Sequence, residues 1–192
     1  MAKIGLVSLY FAPFAAAETD TAEPTYKGGV KIGKAVRANL SVQRSTESFY
    51  ADDMLTEQVD EFTSGTLALS SASLDDAAAT LIYGYAPAEG EEFADTTDNK
   101  SPYGGCGYVQ KLMRGGVKYY RAVVFPKVRA SVSDDNAETK GANVSYQAED
   151  ISLTVFPTLG GGTWRYRKTF DTLAAAEAWI KEKLSITAAP SV

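Results

Sequence analysis

The sequence contains no histidine at all and a single cysteine, Cys106. Without histidine there is no Ser-His-Asp triad, no histidine general base and no histidine metal ligand in this chain. One cysteine excludes a disulfide within the chain and any zinc site built from several cysteines. Because no histidine is available to act as its base, Cys106 is predicted to be a buried structural thiol rather than a nucleophile.

Positive charge is also scarce, with 19 Lys and Arg against 24 Asp and Glu and a net charge of −5. Proteins that hold nucleic acid neutralise its phosphates with clustered Lys and Arg, so this balance argues against that class. The glycine clusters at 104–107 and 160–162 lack the spacing of a phosphate-binding loop. Three pairs of adjacent aspartates are present, Asp52-Asp53, Asp75-Asp76 and Asp134-Asp135. Neighbours on a strand point to opposite faces, and Asp75-Asp76 suits the first turn of a helix. The sequence therefore predicts no catalytic residues, no cofactor, no metal site and no enzyme activity.

Long hydrophobic runs are missing, and no stretch approaches the roughly 20 apolar residues that cross a bilayer. The nearest candidate is residues 1–17, in which one lysine precedes an apolar run and three alanines, as in a secretory signal. Gly5 and Pro13 interrupt that run. We therefore favour a strand over residues 3–11 that breaks at Pro13, which cannot donate to a sheet ladder. A secreted or surface-exposed β-sandwich binding module stays open as the alternative.

The 192 residues are 45% hydrophobic, which suffices for one domain spanning residues 1–192. Patterning predicts seven strands, at residues 3–11, 28–42, 62–70, 103–113, 117–128, 143–156 and 163–170, with Gly115-Gly116 as a hairpin turn. The alternation changes phase near Asp150, which predicts a bulge or bend there. Strand 117–128 is apolar on both faces and should be covered on both.

Two short helices complete the predicted fold. The first covers residues 74–83, with Ser73 as its N-cap and Gly84 at its end. The second is capped by Asp171 or Thr172 and runs to Leu184. Mainly antiparallel strands with two short helices predict a mainly-β α+β fold, a β-sandwich or partly closed barrel.

Four segments fit no regular element. Residues 13–27 are predicted to form a flexible arm, and residues 187–192 a loose tail. Residues 86–102 are acidic without periodicity and are predicted to form a surface loop. Residues 46–61 form a long acidic segment that contains several aromatic residues.

Short blocks along nearly the whole chain resemble one protein family. In chain order they are Ala2-Lys3-Ile4-Gly5-Leu6 with Tyr10 and Ala12-Pro13; Gly33-Lys34-Ala35-Val36 to Leu40; Phe49-Tyr50-Ala51-Asp52-Asp53; Phe62, Gly65-Thr66-Leu67; Ser73-Leu74-Asp75-Asp76; Pro102-Tyr103, Gly105, Gly107-Tyr108; Tyr119, Arg121-Ala122; Phe125-Pro126-Lys127-Val128; Gly162-Thr163-Trp164; Lys168-Thr169-Phe170-Asp171-Thr172; and Ala176-Glu177-Ala178-Trp179-Ile180. Together these blocks are similar to the major tail proteins of long-tailed phages that infect Gram-positive bacteria, the phi13-type family.

The resemblance implies a tail tube subunit with a tail-tube-type β-sandwich or barrel and a flanking helix. Such subunits form hexameric rings that stack into a hollow tube, through which DNA passes without specific binding. The implied partners are other copies of the chain and the tape measure, tail terminator and distal tail proteins, with no membrane and no small-molecule substrate. The implied location is the virion tail, and the host cytoplasm during assembly.

By analogy with tail tubes, residues 46–61 are expected to be a long stacking loop that reaches the next ring. The expected contact residues are Phe49, Tyr50, Asp52, Asp53 and Met54. A mobile solvent loop is the alternative interpretation of this segment. The lumen is expected to be lined by the strands of one sheet, with acidic side chains that repel DNA, while free strand edges pair between neighbouring copies.

Besides the secreted binding module, two other possibilities remain. A tube protein of a contractile phage-like particle or secretion system would share the same general architecture. A β-rich hydrolase would instead need two carboxyl groups facing each other roughly 5–10 Å apart in a cleft, and no spacing in the sequence indicates such a pair.

Overall fold

The computed structural model describes residues 1–51, 54–85, 100–131 and 148–186, which form eight strands and two helices. In chain order these are β1 (Ala2–Pro13), β2 (Val30–Ile32), β3 (Ala35–Ala51), β4 (Met54–Ser71), α1 (Asp76–Tyr83), β5 (Tyr103–Arg114), β6 (Val117–Ser131), β7 (Glu149–Val155), β8 (Tyr166–Phe170) and α2 (Leu173–Lys183).

All the strands belong to one antiparallel sheet with the order β2-β1-β5-β6-β7-β4-β3. The eighth strand, β8, pairs with residues 120–124 of β6, while β7 pairs with residues 128–131 of the same strand. The mainly-β prediction with two short helices is therefore confirmed. The sheet is not closed, because its end strands β2 and β3 are joined through residues 33–34 without pairing with each other.

Two apolar cores lie on opposite faces of β1, β5 and β6. Successive residues of β1 alternate between them, since Leu9 and Phe11 belong to the first core and Tyr10 and Ala12 to the second. Besides β1, the first core is built mainly from Leu67, Leu69, Cys106, Phe125, Ile151 and Leu153, with Ile82 from α1. The second contains Val109, Ala122, Val124, Ala176, Ile180 and Leu184, and is covered by α2. The prediction that β6 is covered on both faces is confirmed.

The turn and helix signals agree with the structure at three of four positions. Gly115 and Gly116 have φ of 56° and 80° and connect β5 to β6, and Gly84 ends α1 with φ of 73°. The Thr172 hydroxyl accepts a hydrogen bond from the Ala175 amide at 3.3 Å and caps α2. The predicted Ser73 cap is wrong, because α1 begins later, with Asp75 in the N-cap position.

Contacts of Gly33 explain two of the differences from the predicted elements. A Cβ at Gly33 would lie 2.0 Å from the Ser73 carbonyl oxygen, so the chain must pass very close to the residues before α1. The predicted strand at 28–42 is consequently divided into β2 and β3 around residues 33–34. The same contact fixes Ser73 outside the helix, where its carbonyl accepts a hydrogen bond from the Ser71 hydroxyl at 2.7 Å.

Three other strand predictions need correction. The first strand does not break at Pro13, which still pairs with Gly104 of β5. No bulge occurs near Asp150, since β4 and β7 pair in continuous register from Ser70 and Asp150 onward. The last strand begins at Tyr166, three residues later than predicted.

The predicted flexible arm at 13–27 is packed against the body of the single chain. At its ends the Phe14 amide donates to the Tyr103 carbonyl at 2.9 Å, and the Tyr26 hydroxyl donates to the Pro126 carbonyl at 2.8 Å. Glu18 forms an ion pair with Lys127 of β6 in between. The predictions for residues 86–99 of the acidic loop, Asp134-Asp135 and the tail at 187–192 lie outside the described residues.

Candidate functional site

The longest paired element is the hairpin of β3 and β4, with strands of 17 and 18 residues. β4 also pairs with β7, but only over residues 65–71, and β3 is the last strand of the sheet order. Beyond Gly65, towards the tip of the hairpin, β4 therefore pairs only with β3, and β3 pairs only with β4. The segment predicted as a long stacking loop, residues 46–61, is thus mostly regular strand.

This hairpin is exposed on both faces at residues 41–48 and 58–61. We call residues 44–51 and 54–62 the hairpin arm. All described side chains at 41–48 and 58–61 are exposed, including Val59 at 47%. At about 3.4 Å per residue, positions 44–51 span roughly 27 Å. A two-stranded hairpin alone is at best marginally stable in water, and among the described residues no third strand pairs with this arm.

Aromatic stacking holds the base of the arm. The rings of Phe62 and Trp164 stack with centroids 4.3 Å apart and planes 7° apart. The Arg165 guanidinium lies 4.4 Å from the centre of the Trp164 ring, so a cation–π contact accompanies the stacking of Trp164 on β4. Alternation along residues 163–170 predicts Trp164 on one face with Tyr166 and Phe170. Trp164 instead packs against the first core, whereas those two residues pack against the second.

The arm concentrates negative charge. Residues 44–61 contain one basic side chain, Arg44, which forms an exposed ion pair with Asp60 at 2.6 Å. The same segment carries six carboxylates: Glu47, Asp52, Asp53, Glu57, Asp60 and Glu61. The formal charge of residues 44–61 is therefore −5, equal to that of the whole chain, so the charges of all the other residues sum to zero.

The predicted contact residues fall at the far end of the arm. Phe49 and Tyr50 lie near the end of β3, Met54 begins β4, and the register pairs Ala51 with Met54 and Tyr50 with Leu55. The structure therefore brings the backbones of these three predicted residues together at one tip. Asp52 and Asp53 lie outside the described residues.

A second surface is rich in small hydroxyl side chains. In the sheet register, Asn39, Ala68 and Ser152 form one row, and Ser41, Thr66 and Thr154 form the next. These residues alternate with the buried residues of the first core, so they lie on the opposite face of β3, β4 and β7. We call these six residues the hydroxyl face. The helix α2 packs elsewhere, on the second core.

The residues considered for chemistry have structural roles in the described part of the chain. Cys106 is completely buried, and desolvation raises the pKa of its thiol to about 12. A Cβ at Gly104 would lie 2.6 Å from the Ala12 carbonyl oxygen, so this glycine lets β1 approach β5. Among the described residues, no group of three or more Cys, Asp or Glu side chains is arranged to hold a metal ion.

Basic residues of β8 and its approach are distributed over both faces. The Lys168 ammonium lies 5.3 Å from the centre of the Phe170 ring, beside the second core, whereas Arg165 lies on Trp164 beside the first. These two basic residues therefore lie on opposite faces.

No protein-family model matches this chain, and no match is found among the curated proteins. Within the described ranges, neither helix has the length and apolar character needed to cross a membrane.

Proposed function

We propose that this chain is a structural subunit of a phage tail tube, which self-assembles into stacked hexameric rings and forms a conduit for DNA. The observation that carries the proposal is the hairpin arm, a long ribbon exposed on both faces. The sequence resemblance supplies the hexamer, the stacking and the tail itself. The proposed location is accordingly the virion tail, with the host cytoplasm as the place of assembly.

Free strand edges support self-association. One edge of β3 is unpaired along the described strand, and β8 pairs only with β6. Exposed edges are a hazard for a monomer, but neighbouring copies in a ring can pair them into a continuous sheet. Contacts that use different surfaces on the two copies generate rings or filaments, depending on whether the rotation closes.

In this proposal the hydroxyl face lines the lumen. It is the outer face of a sheet region that α2 leaves uncovered, and its six side chains carry no charge, while the next row of that face holds the Arg37–Asp150 ion pair and Arg129 lies beside Thr154. Duplex DNA carries a negative charge about every 1.7 Å along its axis, so a strongly basic lining would retain it, whereas a nearly neutral lining lets it slide. The lining that we propose is thus nearly neutral, in place of the acidic one expected from the sequence.

Electron microscopy of the purified protein, concentrated at neutral pH, tests the proposal. We expect hollow tubes built from six-fold rings, and a sedimentation profile that shifts with protein concentration. A protein that remains monomeric at every concentration would contradict the tube function.

A shortened arm tests whether the hairpin carries the assembly. Deleting residues 45–48 together with 58–61 removes four directly paired positions from each strand and preserves which side chains share a face. Because those side chains are exposed, the variant should keep the cooperative unfolding of the parent while losing tube formation. The matched control S45A/S48A preserves arm length and charge and should still form tubes.

A further inference from the structure

We infer that the acidic hairpin arm of one copy docks on a basic surface at the strand ends of a second copy. This basic surface consists of Lys3, Lys111, Arg114, Lys118 and Arg121. The inference rests on the proposed self-assembly and names the surface that receives the arm.

Strand register gathers these five residues around the turn at Gly115-Gly116. Lys3 pairs with Leu112, Met113 with Lys118, and Gln110 with Arg121. Lys111 and Arg114 also lie in the last rows of β5, so all five belong to adjacent ends of β1, β5 and β6, where Lys3, Arg114 and Arg121 lie on one face of the sheet and Lys111 and Lys118 on the other. Lys3, Arg114 and Lys118 are exposed, and the other two are half-buried.

The segments that carry the basic residues contain no carboxylate, because residues 1–17 and 101–131 include neither Asp nor Glu. Within the described residues, the ion pairs join Arg37 to Asp150, Arg44 to Asp60 and Lys127 to Glu18, and none of them involves the five basic residues. Arg121 donates a hydrogen bond from Nε to the Thr169 hydroxyl at 3.4 Å, and the charges of the other four are available to an external partner.

The hairpin arm complements this surface in charge and in apolar character. Glu47 and Glu61 are exposed on the arm and take part in none of those ion pairs. Val59 on the arm is 47% exposed, and Val117 and Ile4 beside the basic residues are 53% and 47% exposed. Opposite charges steer the two surfaces together and set the register, while the apolar side chains lose contact with water.

A second copy of the chain fits this surface better than nucleic acid does. The net charge of residues 44–61 equals that of the whole chain, the described side chains at 44–48 and 58–61 are exposed, and every copy carries both surfaces. Such a contact is heterologous, so it repeats from copy to copy, as a ring or a stack requires.

A charge-exchange experiment tests the docking. The variant R114E/K118E reverses two exposed charges on the basic surface, and E47K/E61K reverses two exposed charges on one face of the arm. Each variant alone should raise the concentration needed for assembly about tenfold or more, because like charges then face each other. Combining all four substitutions should restore assembly to within about threefold of the parent, measured by sedimentation and electron microscopy.

The control K31E/K34E makes the same change of charge at exposed residues around the end of β2 and should assemble like the parent. The parent contact should also weaken at high salt, since the screening length falls from about 8 Å at 0.15 M to about 3 Å at 1 M.

The possible outcomes separate the docking from the tube. Tubes that form equally well from all four variants would overturn the docking and leave the tube function intact. Contacts between copies that follow the charge pattern without forming tubes would support the docking and contradict the tube. If R114E/K118E assembles normally but loses duplex DNA binding that the parent has, the surface serves nucleic acid and the docking is wrong.

Discussion

Lys127 and Glu18 form an ion pair that is almost completely removed from solvent, with side chains 14% and 4% exposed and Nζ 2.5 Å from Oε2. The other Glu18 oxygen accepts a hydrogen bond from the Leu159 amide at 2.7 Å. One carboxylate thus connects the segment 13–27 both to β6 and to the connection between β7 and β8. A glutamate and a lysine 109 residues apart give no local pattern, so the sequence predicted a flexible arm here.

Replacing Lys127 by methionine should destabilise the chain strongly, because it leaves the Glu18 carboxylate buried without its cation. We expect the free energy of unfolding to fall by about 3–5 kcal/mol in urea denaturation. The double variant E18Q/K127M should recover part of that loss. The control R44M breaks the exposed pair with Asp60 and should cost at most about 1 kcal/mol. Equal losses for K127M and R44M would contradict the burial of the first pair.

Alkaline pH should destabilise the protein through groups that are buried in their neutral form. Burial raises the pKa of Cys106 from 9.0 to about 12, and raises that of Tyr108 from 10.0 to about 12. The unfolded chain releases these protons first, so stability is complete below about pH 9 and decreases as the pH rises towards 12. Urea denaturation at pH 8 and at pH 10.5 measures the decrease. It should be smaller in C106A, and an equal decrease would show that the thiol does not contribute.

At the scale of elements, the hairpin arm shows what sequence patterning detects and what it misses. Leu67 and Leu69 alternate with polar residues where β4 covers the first core, and this part of the strand was predicted. At the described positions 44–48 and 58–61 the side chains are exposed on both faces, so no apolar periodicity remains to indicate strand. The register shift of the β3–β4 pairing at Gln43 and Arg44 obscures the alternation further. Residues that are exposed on both faces lack the pattern that the core imposes elsewhere in the chain.

Trp164 should control how the arm leaves the body of the molecule. W164A removes the ring stacked on Phe62 and should lower the free energy of unfolding by about 1–2 kcal/mol. Amide exchange in the arm should accelerate and assembly should weaken, because the base of the hairpin is then free to reorient. W164F retains an aromatic ring at this position and should restore most of both properties. An arm whose exchange is unchanged in W164A would show that the stack is not what holds it.

At the scale of the whole molecule, one sheet packs against two cores, and its β3–β4 hairpin extends beyond both of them. The fold class, the β5–β6 hairpin and both helices follow from local signals such as Gly115-Gly116, Gly84 and Thr172. The division at Gly33 does not, because it depends on the carbonyl of Ser73, which is distant in sequence. Likewise, the basic residues of β1, β5 and β6 show no pattern along the sequence, and strand pairing alone brings them to adjacent strand ends.

Hydrogen exchange on dilute and assembled protein should distinguish the surfaces that contact other copies from those that remain in water. In the dilute chain, amides of the hairpin arm should exchange fast, because opening a ribbon without a core costs little free energy. Assembly should slow exchange about a hundredfold in residues 44–51 and 54–62, and also at the strand ends around Gly115-Gly116. Amides of β1 near Phe11, which is fully buried, should exchange slowly in both states. Exchange in the hairpin arm that does not slow on assembly would contradict docking through the arm.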